Sequence, residues 1–122
     1  MTRKTAALAA LLGCLFIGSA QAACIYPRAP EHTPDGKTAT KEEMVAAHQA
    51  VVQFNEDINA YNACLDMEMT SLEQSGQFDQ AQLLERRAMQ AKKNNAAVDE
   101  LQAVADGFNE QLRIFNAREK KD

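Results

Sequence analysis

An all-α fold is what this sequence predicts: a long antiparallel two-helix hairpin, coiled-coil-like, with an extended proline-bearing arm tied to it by one disulfide. Three observations carry that expectation. Residues 41–73 and 80–118 hold no proline and place apolar side chains at the alternating three- and four-residue spacing of a helix face. Pro27, Pro30 and Pro34 crowd together ahead of the first of these stretches. Cys24 and Cys64 are the two cysteines that remain once an N-terminal export signal is removed.

The signal comes first in the chain. Met1 to Lys4 is a short basic start, residues 5–20 form an almost unbroken apolar run, and Ala20-Gln21-Ala22 fits a small-x-small cleavage site. Residues 1–22 are therefore read as a cleaved signal peptide, which places the protein in the periplasm, where two thiols become a disulfide. Leu11-Leu12-Gly13-Cys14 resembles a lipidation box, so lipidation at Cys14 is the alternative to cleavage after Ala22. Against it, Cys14 is followed by Leu15-Phe16-Ile17 rather than by a polar linker. No later segment approaches the eighteen apolar residues of a membrane span, so stable insertion after cleavage is not expected.

Cleavage removes Arg3 and Lys4, and the 13 basic and 17 acidic residues of the whole chain become eleven against seventeen, a net charge near −6. Nucleic acid and anionic lipid reward clustered cations and are poor partners for such a chain. About a hundred residues remain, enough for one domain.

Residues 23–39 are the arm. Prolines every three or four residues forbid helix and favour an extended course, and Pro34-Asp35-Gly36 is a turn signal. Thr40 with Glu43 reads as a capping box that opens the hairpin, residues 40–122. In the first helix, about 41–73, the heptad seam is Met44, Ala47, Val51, Phe54, Ile58, Tyr61, Leu65, Glu68 and Leu72, broken only by the glutamate. Gln74-Ser75-Gly76-Gln77 is the break. Asp79 caps the second helix, about 80–118, with Gln82 three residues on, and Phe78 and Leu83 stand at staple positions. Its seam is Leu84, Ala91, Asn94, Val98, Leu101, Ala105, Phe108, Leu112 and Phe115, with Arg87 at an intervening position. Gly107 costs about 1 kcal/mol of helix propensity without ending the helix.

Antiparallel folding about Gly76 then pairs Phe54 with Val98, Val51 with Leu101 and Met44 with Phe108. The arm completes the core. Cys64 lies roughly 36 Å along the first helix from Thr40, at 1.5 Å per residue. An extended arm from Cys24 to Thr40 spans about 50 Å, so it can run back along the helices and lay Ile25, Tyr26 and its prolines into their groove. A disulfide closing so long a loop stabilises the fold by roughly 4 kcal/mol in the chain-entropy account.

Catalytic chemistry finds little support. His32 and His48 lack a partner at metal-site spacing, so no metal or other cofactor is expected. Cys24 and Cys64 lie far from the Cys-x-x-Cys spacing of a redox pair. The carboxylates Glu56, Asp57, Asp66, Glu68, Glu73, Asp99 and Glu100 have no cleft to converge in, and no nucleophile elbow or phosphate-binding glycine loop occurs. The basic cluster Arg86-Arg87 and Lys92-Lys93 falls beside Asp66, Glu68 and Glu73 in the antiparallel register, which interhelical pairing explains. Asn94 and Asn95 interrupt the seam, either as register-setting polar residues do or to hydrogen-bond a partner. Apolar residues off the seam, Val45, Val52, Met67, Met69, Val104 and Ile114, pack on the arm or form a face for another chain.

Cys24-x-x-Pro27, Pro34-Asp35-Gly36, Ala39-Thr40 with Glu43-Met44, Tyr61-x-x-Cys64, and Asn95 to Glu100 with Phe108-Asn109-Glu110 together resemble a group of small secreted proteins of Gram-negative bacteria to which no activity is assigned. The resemblance covers nearly the whole mature chain and implies a periplasmic location without any chemistry. The Leu-Thr-x-x-Gln repeats of helical stress chaperones are missing, as are the cysteine spacings of lysozyme-inhibitor-like helical proteins. The expected function is a non-catalytic, helical protein–protein interaction module of the cell envelope, binding an envelope protein or itself as a homodimer. Its face would include Val45, Val52, Arg86, Arg87 and Val104. A holdase-type chaperone, using Met-containing apolar surface, is the alternative.

Overall fold

Two helices form where the caps and the apolar spacing place them. A computed structural model describes residues 23–121, so the expected signal peptide at 1–22, and with it Cys14, lies outside the described residues. Helix α1 runs over Lys41–Gln74 and α2 over Gln80–Glu119, with no strand among the described residues. At 34 and 40 residues they are about 51 and 60 Å long.

Both capping boxes close. The Glu43 amide donates to Thr40 Oγ1 at 3.2 Å and the Thr40 amide to Glu43 Oε2 at 2.7 Å. Those bonds, the Thr40 backbone amide foremost, hold the Glu43 carboxyl below its usual range. The Gln82 amide donates to Asp79 Oδ1 at 2.9 Å, and the Asp79 amide to Gln82 Oε1 at 3.0 Å. Between the helices Gly76 adopts φ +65°, the left-handed cap conformation that favours glycine. Gly107 sits inside α2 without ending it.

The core is two adjoining clusters. Phe54, Ile58, Tyr61, Leu65 and Ala97 form the first, with Cys24, Ala29, Leu101 and Val104 packed on it. Ala39, Met44, Phe108 and Phe115 form the second, with Ala47, Val51 and Leu112 at its edge. Met44 and Phe108 thus share one cluster, as the antiparallel register requires.

The α1 seam holds from Met44 to Leu65. Beyond that Met69, expected off the seam, is buried at 7 % exposure, and Glu68 is exposed. A strict seven-residue repeat drifts by about 20° per heptad on a straight helix, and three heptads carry the seam to the neighbouring residue.

In α2 the expected seam is half right. Leu101, Phe108 and Phe115 face inward, but Leu84 and Val98 are 67 % and 50 % exposed, and Ala97 is fully buried where Val98 was expected against Phe54. Beyond Ala97, Val104 and Gln111 are half-buried alongside Ala105 and Leu112, so the inward line widens toward a second row. The arm explains the rotation, because it packs on this flank and draws it into the core.

The arm runs back along the helices. Cys24 joins Cys64 across 40 residues of sequence, with Cα atoms 5.8 Å apart. Tyr26 meets the Tyr61 ring edge-on at 5.1 Å and donates its hydroxyl to Glu100. Ala29 packs on the first cluster, and Pro34, Gly36 and Ala39 are buried. Ile25, expected in the groove, is instead 86 % exposed. Successive side chains of an extended chain alternate sides, and the inward disulfide at Cys24 turns Ile25 out.

The arm closes on a turn at Asp35, whose carbonyl accepts the Thr38 and Ala39 amides at 3.0 and 2.7 Å. The Lys37 amide donates to Asp35 Oδ1 at 2.9 Å. Gly36 then rests on the α2 backbone, its amide donating to Gln111 Oε1 at 2.9 Å. Arg118 Nη2 donates to the Ala39 carbonyl at 2.8 Å and locks the arm's end.

Candidate functional site

A two-helix layer has two flanks, and the arm occupies one. On α1 the arm side is marked by Ala46, Ala50, Tyr61 and Cys64; on α2 it is marked by Ala97, Glu100, Val104 and Gln111. The opposite flank is open. There His48 stacks against Phe108 with ring centroids 5.8 Å apart. Val45 and Val52, a turn to either side of His48, are 49 % and 43 % exposed. Across from them α2 presents Leu84, Ala91, Val98, Ala105 and Leu112, one every seven residues; the first three are exposed and the last two half-buried. This heptad stripe has the spacing of a buried seam, yet neither α1 nor the arm covers its first half.

The five residues expected to form one interaction face fall into three settings. Val45 and Val52 lie on the open flank. Val104 lies on the other, half-buried beside the arm's contacts. Arg86 and Arg87 stand near the hairpin's tip, about 40 Å along the helices from Val45 at 1.5 Å per residue. The Arg86 guanidinium stacks 4.1 Å from the centre of the Phe78 ring. Arg87 pairs with Glu73 at 2.7 Å, a partly exposed bridge of small energetic weight. Asp66 is met by Gln90 and not by a cation. The structure therefore joins Val45 to Val52 alone, and turns Arg86, on Phe78 beside the Glu68 cavity, and Arg87, on Glu73, to different sides of α2. Sequence reasoning missed the open stripe itself because it assigned Leu84, Ala91 and Val98 to the core.

Near the tip a cavity of about 90 Å³ opens between Leu65, Glu68, Met69, Arg86, Met89, Gln90 and Lys93. It begins where the arm ends, with Glu68 Oε2 3.7 Å from Cys24 Sγ. Its size suits one side chain. Among the described residues no three histidine, cysteine or acidic side chains gather as a metal site. His32 is exposed on the arm and His48 lies alone against Phe108. Cys24 and Cys64 are spent in the disulfide.

Among the described residues Tyr26 has the one strongly shifted titration. Its hydroxyl is pushed up to about 12, chiefly by burial and then by the hydrogen bond and negative charge of Glu100. That makes it a strut between arm and α2. Among the described residues no helix is long and apolar enough to cross a membrane. Comparison of the chain with protein-family models, with curated proteins and with solved structures returns no match.

Proposed function

We propose that the protein is a non-catalytic interaction module of the periplasm, offering the open flank of its hairpin to another folded protein chain. The observation that carries this reading is the α2 stripe from Leu84 to Leu112, apolar at every seventh residue and uncovered over its first half. Single exposed apolar residues are ordinary on a protein surface; a heptad-spaced row beside a second one is the pattern of a helix face awaiting a partner. The disulfide suits an oxidising compartment, and the basic, apolar and small-x-small order of residues 1–22 supplies the route there.

The test is covalent crosslinking in intact cells from photoreactive residues placed at Val52 and Val98, with Met67 as an off-flank control. One dominant product from the first two positions, absent at Met67, supports the module. Equal and diffuse capture at all three sites refutes it.

A chaperone of the holdase type is favoured by a different observation. Met67, Leu84 and Met89 near the hairpin tip are 68 %, 67 % and 55 % exposed, separate apolar side chains that include two of the adaptable methionines used to hold unfolded clients. That reading requires the protein to suppress aggregation of an unfolding client at near-stoichiometric ratio, and fails if it does not.

A further inference from the structure

We infer that the occupant of the open flank is a second copy of this chain, docked face to face about a twofold axis to make a four-helix assembly. The inference rests on the proposed use of that flank and names its partner. What identifies the partner is the chemistry of the flank, which is neutral and amide-rich. Stepping alternately by three and four residues, α1 presents Val45, His48, Val52, Asn55, Asn59 and Asn62. The matching path on α2 is Ala91, Asn95, Val98, Gln102, Ala105 and Asn109. Neither path carries a formal charge, in a chain where 25 % of residues are charged.

The asparagines are distributed as unevenly as the charges. The chain has seven, at positions 55, 59, 62, 94, 95, 109 and 116. At 100° per residue, every one falls on the open-flank side of its helix's inward line, and none falls on the arm side. A solvated helix face has no such requirement; Lys, Glu and Gln serve it better, since asparagine is a poorer helix former. Loss of charge at the centre of a surface patch, with polar and charged residues kept at its rim, marks protein interfaces. Here the rim is Lys41 and Arg113 at one end, and Asp66 with the Arg87–Glu73 pair at the other.

An amide face selects a particular partner. Each Asn or Gln both donates and accepts, so a row of them satisfies an identical row turned about a twofold axis, as an isologous interface demands. Two amides already need such help: Asn62 Oδ1 and Asn94 Oδ1 are enclosed without a donor. Both residues are half-buried at the inner edge of this flank.

The dimensions are those of a small interface. The charge-free strip, 45–62 on α1, is about 26 Å long at 1.5 Å per residue and two helices wide, roughly 500 Å² in projection. Its charged ends extend it toward the roughly 800 Å² per partner of a standard stable interface. Polar seam residues of this kind fix register at a cost in affinity.

The test is sedimentation of the purified, disulfide-intact protein across a concentration series, with Val98→Glu, Asn59→Glu and the off-flank control Met67→Glu. All three sites are exposed, so each variant should keep its helical circular dichroism. A dimer is expected, weakened at least about tenfold by either flank charge, since each places an unpaired charge inside a neutral interface, and unaffected by the control. A protein that stays monomeric up to about 1 mM, beyond which only association weaker than about −4 kcal/mol remains, overturns the inference. So does a dimer indifferent to both flank charges. If crosslinking from Val52 in cells then captures one different protein, the module stands without its self-association; if it captures nothing, both fall.

Discussion

Replacing Gly36 with alanine should undo the arm. A Cβ on Gly36 would stand 2.1 Å from the Gln111 carbonyl oxygen, 2.9 Å from the Phe115 nitrogen and 3.0 Å from Ile114 Cβ. The first two are helix backbone and cannot swing aside, so the turn must lift by about 1 Å to reach ordinary contact. Lifting it stretches the Gly36 amide bond to Gln111 Oε1, 2.9 Å at rest, and the Arg118 bond to the Ala39 carbonyl, 2.8 Å at rest. A neutral bond contributes about 1 kcal/mol net, one to a charged group about 1.5 or more. Ala39 also withdraws from Met44, Phe108 and Phe115. Part of each loss is recovered by water, and a total near 3 kcal/mol follows from overpacking and bond loss together. For a domain of this size that is about 12–24 °C in Tm. The assay is thermal and urea unfolding followed at 222 nm, with hydrogen exchange at the Gly36 and Ala39 amides to detect local release. If stability falls by less than about 0.5 kcal/mol, the scatter of ordinary surface substitutions, and the Gly36 amide keeps its protection, the close approach is wrong.

The other two glycines of the described residues should behave differently, and the same unfolding measurements check them. Nothing lies within 4 Å of a Cβ at Gly107, so Gly107→Ala should stabilise by about 0.5–1 kcal/mol through helix propensity. Gly76→Ala, equally open but at φ +65°, should cost about 1 kcal/mol for the left-handed backbone. Cys24→Ser with Cys64→Ser should lower stability by roughly 4 kcal/mol, the chain-entropy value for a 40-residue separation, and an oxidised and a reduced sample compared in urea will show it. Tyr26 ionises in the folded protein at about 12 against an ordinary value of 10.0. Its contribution is therefore fully present below pH 10 and is lost as pH rises from 10 toward 12; Tyr26→Phe should remove that component, and an absorbance titration of tyrosinate that finds no group near 12 contradicts it.

How much of this was legible in sequence depends on which forces set each feature. Helix ends were legible because Thr40–Glu43 and Asp79–Gln82 satisfy orphan amides locally, and the observed termini lie within a residue of those expected. The disulfide followed from cysteine parity. The α2 register was not legible, since two apolar stripes compete there. Leu84, Ala91, Val98, Ala105 and Leu112 are more apolar than Leu83, Gln90, Ala97, Val104 and Gln111, and a helix pair alone would bury the first set. The second wins on its arm-facing members because the arm brings Cys24, Ala29 and Gly36 to that side, and Ala97 is small enough to admit them beside Phe54 and Ile58. Ile25 failed for a related reason, the parity of an extended chain pinned at Cys24. The open flank could have been found from the asparagine positions once the arm's side was known, and not before.

The two flanks of the hairpin therefore differ in how they are satisfied. On one, the groove is filled in cis by a segment held at both ends, at Cys24 by the disulfide and at Thr40 by the start of α1. Such tethering gives the arm a high effective concentration, so its contacts need not be strong individually; buried Pro34, Gly36 and Ala39 suffice. On the other flank nothing is tethered, and any occupant must meet the full cost of association from its own contacts. That asymmetry accounts for the chemistry of each side. The cis flank uses small residues and a glycine that lets backbone touch backbone. The open flank keeps Val45, Val52, Val98 and Leu84 exposed beside rows of amides, larger groups able to bury area and fix an orientation when a partner arrives. Reducing the disulfide tests the link between the two: freeing the arm opens the Ala97–Val104 flank as well, so a dimer confined to one face when oxidised should give way to larger, less specific assemblies when reduced, read in the same sedimentation series. An unchanged distribution would mean that Asp35, Gly36 and Arg118 hold the arm without the tether.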